Sequence, residues 1–136
     1  MNAVDTNVLL YSIDNHEPVK RFKAQQLLNQ LHVAPEPTVL LWQVLGEAAQ
    51  QLRRWRDQGK LTATEFASHV QAFRHIFPLA LPTAGAFDSA MSLSDRFSLS
   101  HWDSMVLGAC QAAGATRLHT ALPTQTTPPA STPPDT

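Results

Sequence analysis

Cysteine, tyrosine and glycine are scarce in this chain, with one, one and five among 136 residues. A lone Cys110 closes no internal disulfide, and it lies in an apolar helical pattern, so a buried, reduced thiol is expected. The glycines at 46, 59, 85, 108 and 114 form neither a phosphate-binding loop nor a dinucleotide fingerprint. Charged residues make up only 15% and the net charge is −1, so composition by itself does not announce a polyanionic partner. No run approaches the ~18 apolar residues of a membrane span. The first residues carry neither the basic region nor the apolar run of a signal peptide, and a cytoplasmic protein is expected. The six histidines are scattered without zinc-type spacing.

What is present is a hydrophobic content of 43% in a length that suits one domain. That is enough to bury a core without covalent staples. Basic residues gather at Lys20, Arg21 and Lys23 and again at Arg53, Arg54, Arg56 and Lys60. Such clusters can meet phosphates or can be solvated helix faces, and charge leaves both readings open.

Short apolar segments alternate with helical periodicity. Asn2-Ala-Val reads as a strand ending near Asp5, followed by a short helix with Val8, Leu9 and Leu10. Glu17-Pro18 opens a second helix, with Phe22, Leu27, Leu28 and Leu31 at helical spacing. Thr38 to Trp42 reads as a strand, and Val44, Leu45, Ala48, Leu52 and Trp55 as a helix ending near Asp57-Gly59. Thr62-x-x-Glu65 is a capping box opening a helix with Phe66, Val70, Phe73 and Phe77 on one face. A brief strand between Pro78 and Pro82 precedes a helix with Phe87, Ala90, Met91 and Phe97.

The strongest helical pattern is Trp102, Met105, Val106, Ala109, Cys110 and Ala113, closed by Gly114, and Thr116 to Thr120 reads as one more strand. The alternation predicts an α/β sandwich with a central, mostly parallel sheet flanked by helices. From about Pro123 the chain turns to proline and threonine with no charge until Asp135, which predicts a domain over 1–122 and a disordered tail over 123–136.

Three acids fall where chemistry is usually placed. Asp5 ends the first strand, where open α/β sheets put their crevice. Glu47 lies near the start of the third helix and Asp103 in the first turn of the helix over 101–113. Converging carboxylates repel one another unless a cation sits among them, and hard oxygen ligands suit magnesium or manganese. Each acid also has an ordinary role: Asp5 as a turn residue, Glu47 as an exposed helix residue, Asp103 as part of a Ser100-x-x-Asp103 cap. A phosphatase of the haloacid-dehalogenase type would carry a second aspartate at position 7, where Asn7 stands.

Three segments sharpen the choice. Ala3-Val-Asp-Thr-Asn-Val-Leu-Leu-Tyr-Ser-Ile-Asp14, Trp42-Gln-Val-Leu-Gly-Glu47 and Leu99-Ser-His-Trp-Asp103-Ser-Met-Val-Leu-Gly-Ala109 stand in order. Together they resemble the acidic motifs of the PIN-domain ribonucleases of the VapC toxin family, in register from residue 3 to about 120. The resemblance implies a PIN-like fold and a Mg2+-dependent endoribonuclease, with Mn2+ able to substitute. Asp5, Glu47 and Asp103 would be the catalytic metal ligands, Glu47 directly or through water, and Thr6 would support Asp5 through its hydroxyl. It further implies an RNA substrate, a VapB-type antitoxin partner and a homodimer, with no membrane association.

The chain departs from that family after the last predicted strand. The family carries a fourth acid there in a Thr-Glu-Asp-Leu-Gln-like segment, whereas Leu122 takes that place and no carboxylate occurs between Asp103 and Asp135. The family's last edge strand is expected to be missing as well. Composition and resemblance change at the same point, as a frameshift would produce. The alternative function is therefore a catalytically impaired PIN-fold protein that retains antitoxin binding or self-association.

Overall fold

A computed structural model describes residues 1–120. Four short strands form one sheet: β1 (Asn2–Val4), β2 (Thr38–Leu41), β3 (Leu79–Ala80) and β4 (Arg117–His119), in the order β3-β2-β1-β4. Every pairing is parallel, with Ala3 opposite both Val39 and Leu118 and Leu41 opposite Ala80. Parallel neighbours require crossovers, and helices supply them: α1 (Thr6–Tyr11), α2 (Pro18–Val33), α3 (Trp42–Asp57), α4 (Ala63–Arg74), α5 (Ala84–Phe97) and α6 (His101–Ala113). This is the expected α/β architecture. The chain steps outward from β1 to β2 and β3, then returns to place β4 on the other side of β1. The strand order therefore reverses at β1, and the crevice beyond its carboxyl end is the natural site for a ligand.

The helix boundaries follow local chemistry. Pro18 occupies the first turn of α2, where its missing N–H costs nothing. Both halves of the Thr62–Glu65 capping box form at the start of α4. Ser100 Oγ accepts from the Asp103 N–H to start α6, and Gly114 ends it at φ 78°, a left-handed value that glycine adopts without steric penalty. α3 begins at Trp42, two residues before its first core position Val44, and α4 ends at Arg74, short of Phe77.

The core joins the sheet residues Ala3, Val4, Leu40, Leu41 and Leu118 to Val8, Leu9, Val44, Ala48, Leu52, Val106 and Cys110 on the helices. On α2 the buried stripe is Ala24, Leu28 and Leu31, at i, i+4 and i+7. Phe22, expected on that face, is two positions before Ala24, roughly 200° around the helix, and is exposed. Helices α5 and α6 approach so closely at Gly108 that a Cβ there would stand 2.6 Å from the Ala86 carbonyl and 2.7 Å from the Ala90 nitrogen. Among the described residues no helix is long and apolar enough to cross a membrane. The expected tail over 123–136 and lost edge strand fall on residues outside those described.

Candidate active site

Asp5 is the first residue beyond β1. Its N–H donates to the His119 carbonyl at 2.8 Å, so the pairing of β1 with β4 fixes where it emerges. It is the N-cap of α1, its Oδ1 accepting from the Thr6 N–H at 2.7 Å. Thr6 thus supports Asp5 through its backbone, and not through its hydroxyl as expected. The hydroxyl points to the other acid and donates to Glu47 Oε2 at 2.9 Å. Glu47 Oε1 accepts from Gln43 Nε2 at 2.8 Å, one turn back along α3. Glu47 is therefore held at both oxygens, and Thr6 bridges it to Asp5.

Burial is the main reason the Asp5 carboxyl is raised above its ordinary pKa. The Thr6 N–H opposes that shift, and the charges of Glu47 and then Asp103 add to it. The charges carried by α3 and α6 thus reach the carboxyl just beyond β1. Asp103 stands in the first turn of α6 and is exposed, its N–H used by the Ser100 cap. The neighbouring His101 is exposed and meets the Trp102 ring edge-on at 4.6 Å between centroids. Cys110 is buried, as expected, and burial with the nearby Asp5 charge pushes its thiol up to about 12. At neutral pH it is an inert thiol rather than a nucleophile.

Among the described residues no three histidine, cysteine, aspartate or glutamate side chains are grouped closely enough to ligate one ion together. The acids share a field without forming a closed cage. Any divalent ion there would be held by one or two of these carboxylates and by its own waters.

Two features escaped sequence reasoning. The Gln43–Glu47 bond had a signal, the i, i+4 spacing of an amide and a carboxylate. An apolar groove of about 360 Å³ beside Asp103 had a weaker one. It is lined by Leu41, Trp42, Leu81, Phe87, Trp102 and Met105 among others, and helical periodicity had placed Phe87 and Trp102 among ordinary apolar helix positions.

No protein-family model matches the chain, and no curated protein does. Among solved structures, the fold matches that of Mycobacterium tuberculosis VapC20, a sarcin–ricin loop cleaving toxin. The match covers 88% of each chain at a TM-score of 0.64 with 18% identity. The chain has a PIN-like α/β fold.

Proposed function

We propose that this chain is a divalent-metal-dependent endoribonuclease of the VapC toxin type, in which Asp5, Glu47 and Asp103 hold Mg2+, with Mn2+ able to replace it. The observation that carries this reading is the placement of Asp5 at the carboxyl end of a parallel sheet, partly buried, tied to Glu47 through Thr6 and within the field of Asp103. A partly buried carboxylate near other negative charges is favoured in its ionised form by a bound cation.

When bound, the ion would supply a water of lowered pKa and charge stabilisation for the attacked phosphate. The chain's own residues do the positioning. Asp5 is held by the β1–β4 pairing and by the Thr6 N–H, so its carboxylate needs little reorganisation to meet a cation. Thr6 and Gln43 aim Glu47 from both sides. Asp103, exposed at the start of α6, is the acid most accessible to an entering RNA phosphate with its ion.

The toxin sharing this fold cleaves the sarcin–ricin loop, which makes that loop the first RNA to try. A VapB-type antitoxin and a second copy of the chain are the proposed protein partners. The test is cleavage of structured RNA with and without Mg2+, comparing the intact chain with Asp5→Asn. Metal-dependent cleavage lost in the variant supports the mechanism, and cleavage indifferent to the substitution sinks it.

A second reading has its own support. No carboxylate follows Asp103 until Asp135, and the acids do not form a tight cage. In that reading the fold binds an antitoxin or itself without efficient cleavage. It predicts partner binding with no metal-dependent turnover in the intact chain.

A further inference from the structure

The groove beside Asp103 is unusual for its aromatic content at the surface. Trp42, Phe87 and Trp102 are 53%, 52% and 63% exposed, and Leu81 is 66% exposed. They come from three directions: Trp42 follows β2, Leu81 follows β3 with Phe87 in the α5 helix after it, and Trp102 opens α6. On α6, Val106 and Cys110 turn to the core while Trp102, Met105 and Ala109 line the groove. An exposed aromatic cluster of this kind marks a binding surface.

We infer that the groove is the docking site of this chain's own proline- and threonine-rich segment, residues 123–136. β4 runs parallel to β1, so Thr120 lies at the carboxyl end of the sheet, the end from which Trp42 and Leu81 also emerge. In the order β3-β2-β1-β4, two strand spacings, ~10 Å, separate β4 from β2.

A proline-rich chain advances ~3.1 Å per residue, so the eight steps from Thr120 to Pro128 span up to ~25 Å. The pairs Pro128-Pro129 and Pro133-Pro134 can therefore both reach the groove.

Aromatic-lined grooves take polyproline segments because that helix is preformed and loses little entropy on binding. With three residues per turn, Pro128 and Pro134 fall on one side of such a helix, two turns apart. The segment carries no charge from Ala121 to Pro134, and the residues lining the groove carry none either. An apolar groove whose lining carries no cation offers a nucleic-acid backbone nothing to pair with, whereas a neutral segment meets no repulsion there. The docking does not depend on the chemistry proposed for the acids.

The test is an intrachain cross-link in the full chain. Leu81→Cys with Ser131→Cys is oxidised by glutathione disulfide and compared with Gln30→Cys and Ser131→Cys, Gln30 being exposed on α2 outside the groove. Cys110 is buried and stays silent. The docked segment predicts a monomeric intrachain disulfide forming at least about tenfold faster at the groove than at α2, as a seated segment exceeds a merely tethered one in local concentration.

Replacing Pro128, Pro129, Pro133 and Pro134 by glycine in the groove pair should bring its rate down to that of the control. Those changes lie outside residues 1–120, and circular dichroism checks that the domain is intact. Equal rates for both pairs would overturn the inference, as would a rate unaffected by loss of the prolines. A disulfide formed only between chains would overturn it in favour of a second copy in the groove.

Discussion

The Thr6 hydroxyl donates to Glu47 Oε2 at 2.9 Å across 41 positions of sequence. The same residue's N–H caps the Asp5 carboxylate at 2.7 Å. One small side chain at the start of α1 therefore ties the acid of β1 to the acid of α3, and the relative placement of the two depends on it.

Thr6→Val keeps the shape of the side chain and removes the hydroxyl. The bond joins a neutral donor to a partly buried carboxylate, so its loss should cost ~1 kcal/mol of stability. RNA cleavage should fall about tenfold, the rate equivalent of ~1.4 kcal/mol, because Glu47 loses one of its two anchors. Thr6→Ser should retain most of both properties. Urea unfolding and a cleavage time course measure the two effects separately.

Asp5→Asn should raise the melting temperature of the metal-free protein at neutral pH while abolishing cleavage. The sign follows from the direction of the shift. A carboxyl whose folded pKa lies above its unfolded value favours the fold when protonated, and that contribution is lost as pH rises through the folded pKa. Asparagine is neutral at every pH and escapes the loss. Differential scanning fluorimetry in EDTA and then in Mg2+ gives the check: the ion should stabilise the wild type more than the variant.

His119 sets a pH dependence of the opposite sign. It is buried on β4, its Nε2 3.1 Å from Asn2 Oδ1, while its Nδ1 has no partner among the described residues. Burial, with a smaller contribution from Arg117 and an opposing one from Glu36, holds its pKa below the usual 6.5. The unfolded chain therefore takes up the proton first as pH falls. Stability from this residue is full above about pH 6.5 and declines below it, toward the folded pKa. His119→Gln should flatten the stability profile between about pH 7 and 5, measured by urea midpoints across that range.

Gly108→Ala should destabilise the domain by ~1–3 kcal/mol, as overpacking does in a tight core. The added methyl would meet the Ala86 carbonyl and the Ala90 backbone, and neither can swing aside as a side chain can. A thermal melt of the variant measures it, and an unchanged melting temperature would contradict the close approach of α5 and α6.

Much of this architecture was legible in the sequence because local signals coincide with the global fold. The Thr62–Glu65 box, Pro18 and Gly114 mark helix ends through bonds made within a few residues, and each occurs as read. Asp5 and Asp103 were legible for the same reason, each standing where a strand ends or a helix begins. What could not be read is what depends on long-range placement. The turn of the Thr6 hydroxyl toward Glu47 is decided by how α1 packs on α3. The exposure of Phe22 is decided by which side of α2 faces the core. Trp102 continues the apolar stripe of α6, yet it lies at the start of the helix, where the stripe borders the groove.

The central claim is that Asp5, Glu47 and Asp103 hold a divalent cation. Crystals soaked in Mn2+ and measured at a wavelength where manganese scatters anomalously test it most directly. The account predicts one anomalous peak in the crevice at the carboxyl end of β1, within direct or one-water reach of Asp5 and Asp103, and absent from Asp5→Asn crystals. No peak at millimolar Mn2+, or a peak elsewhere that the variant leaves unchanged, would contradict it.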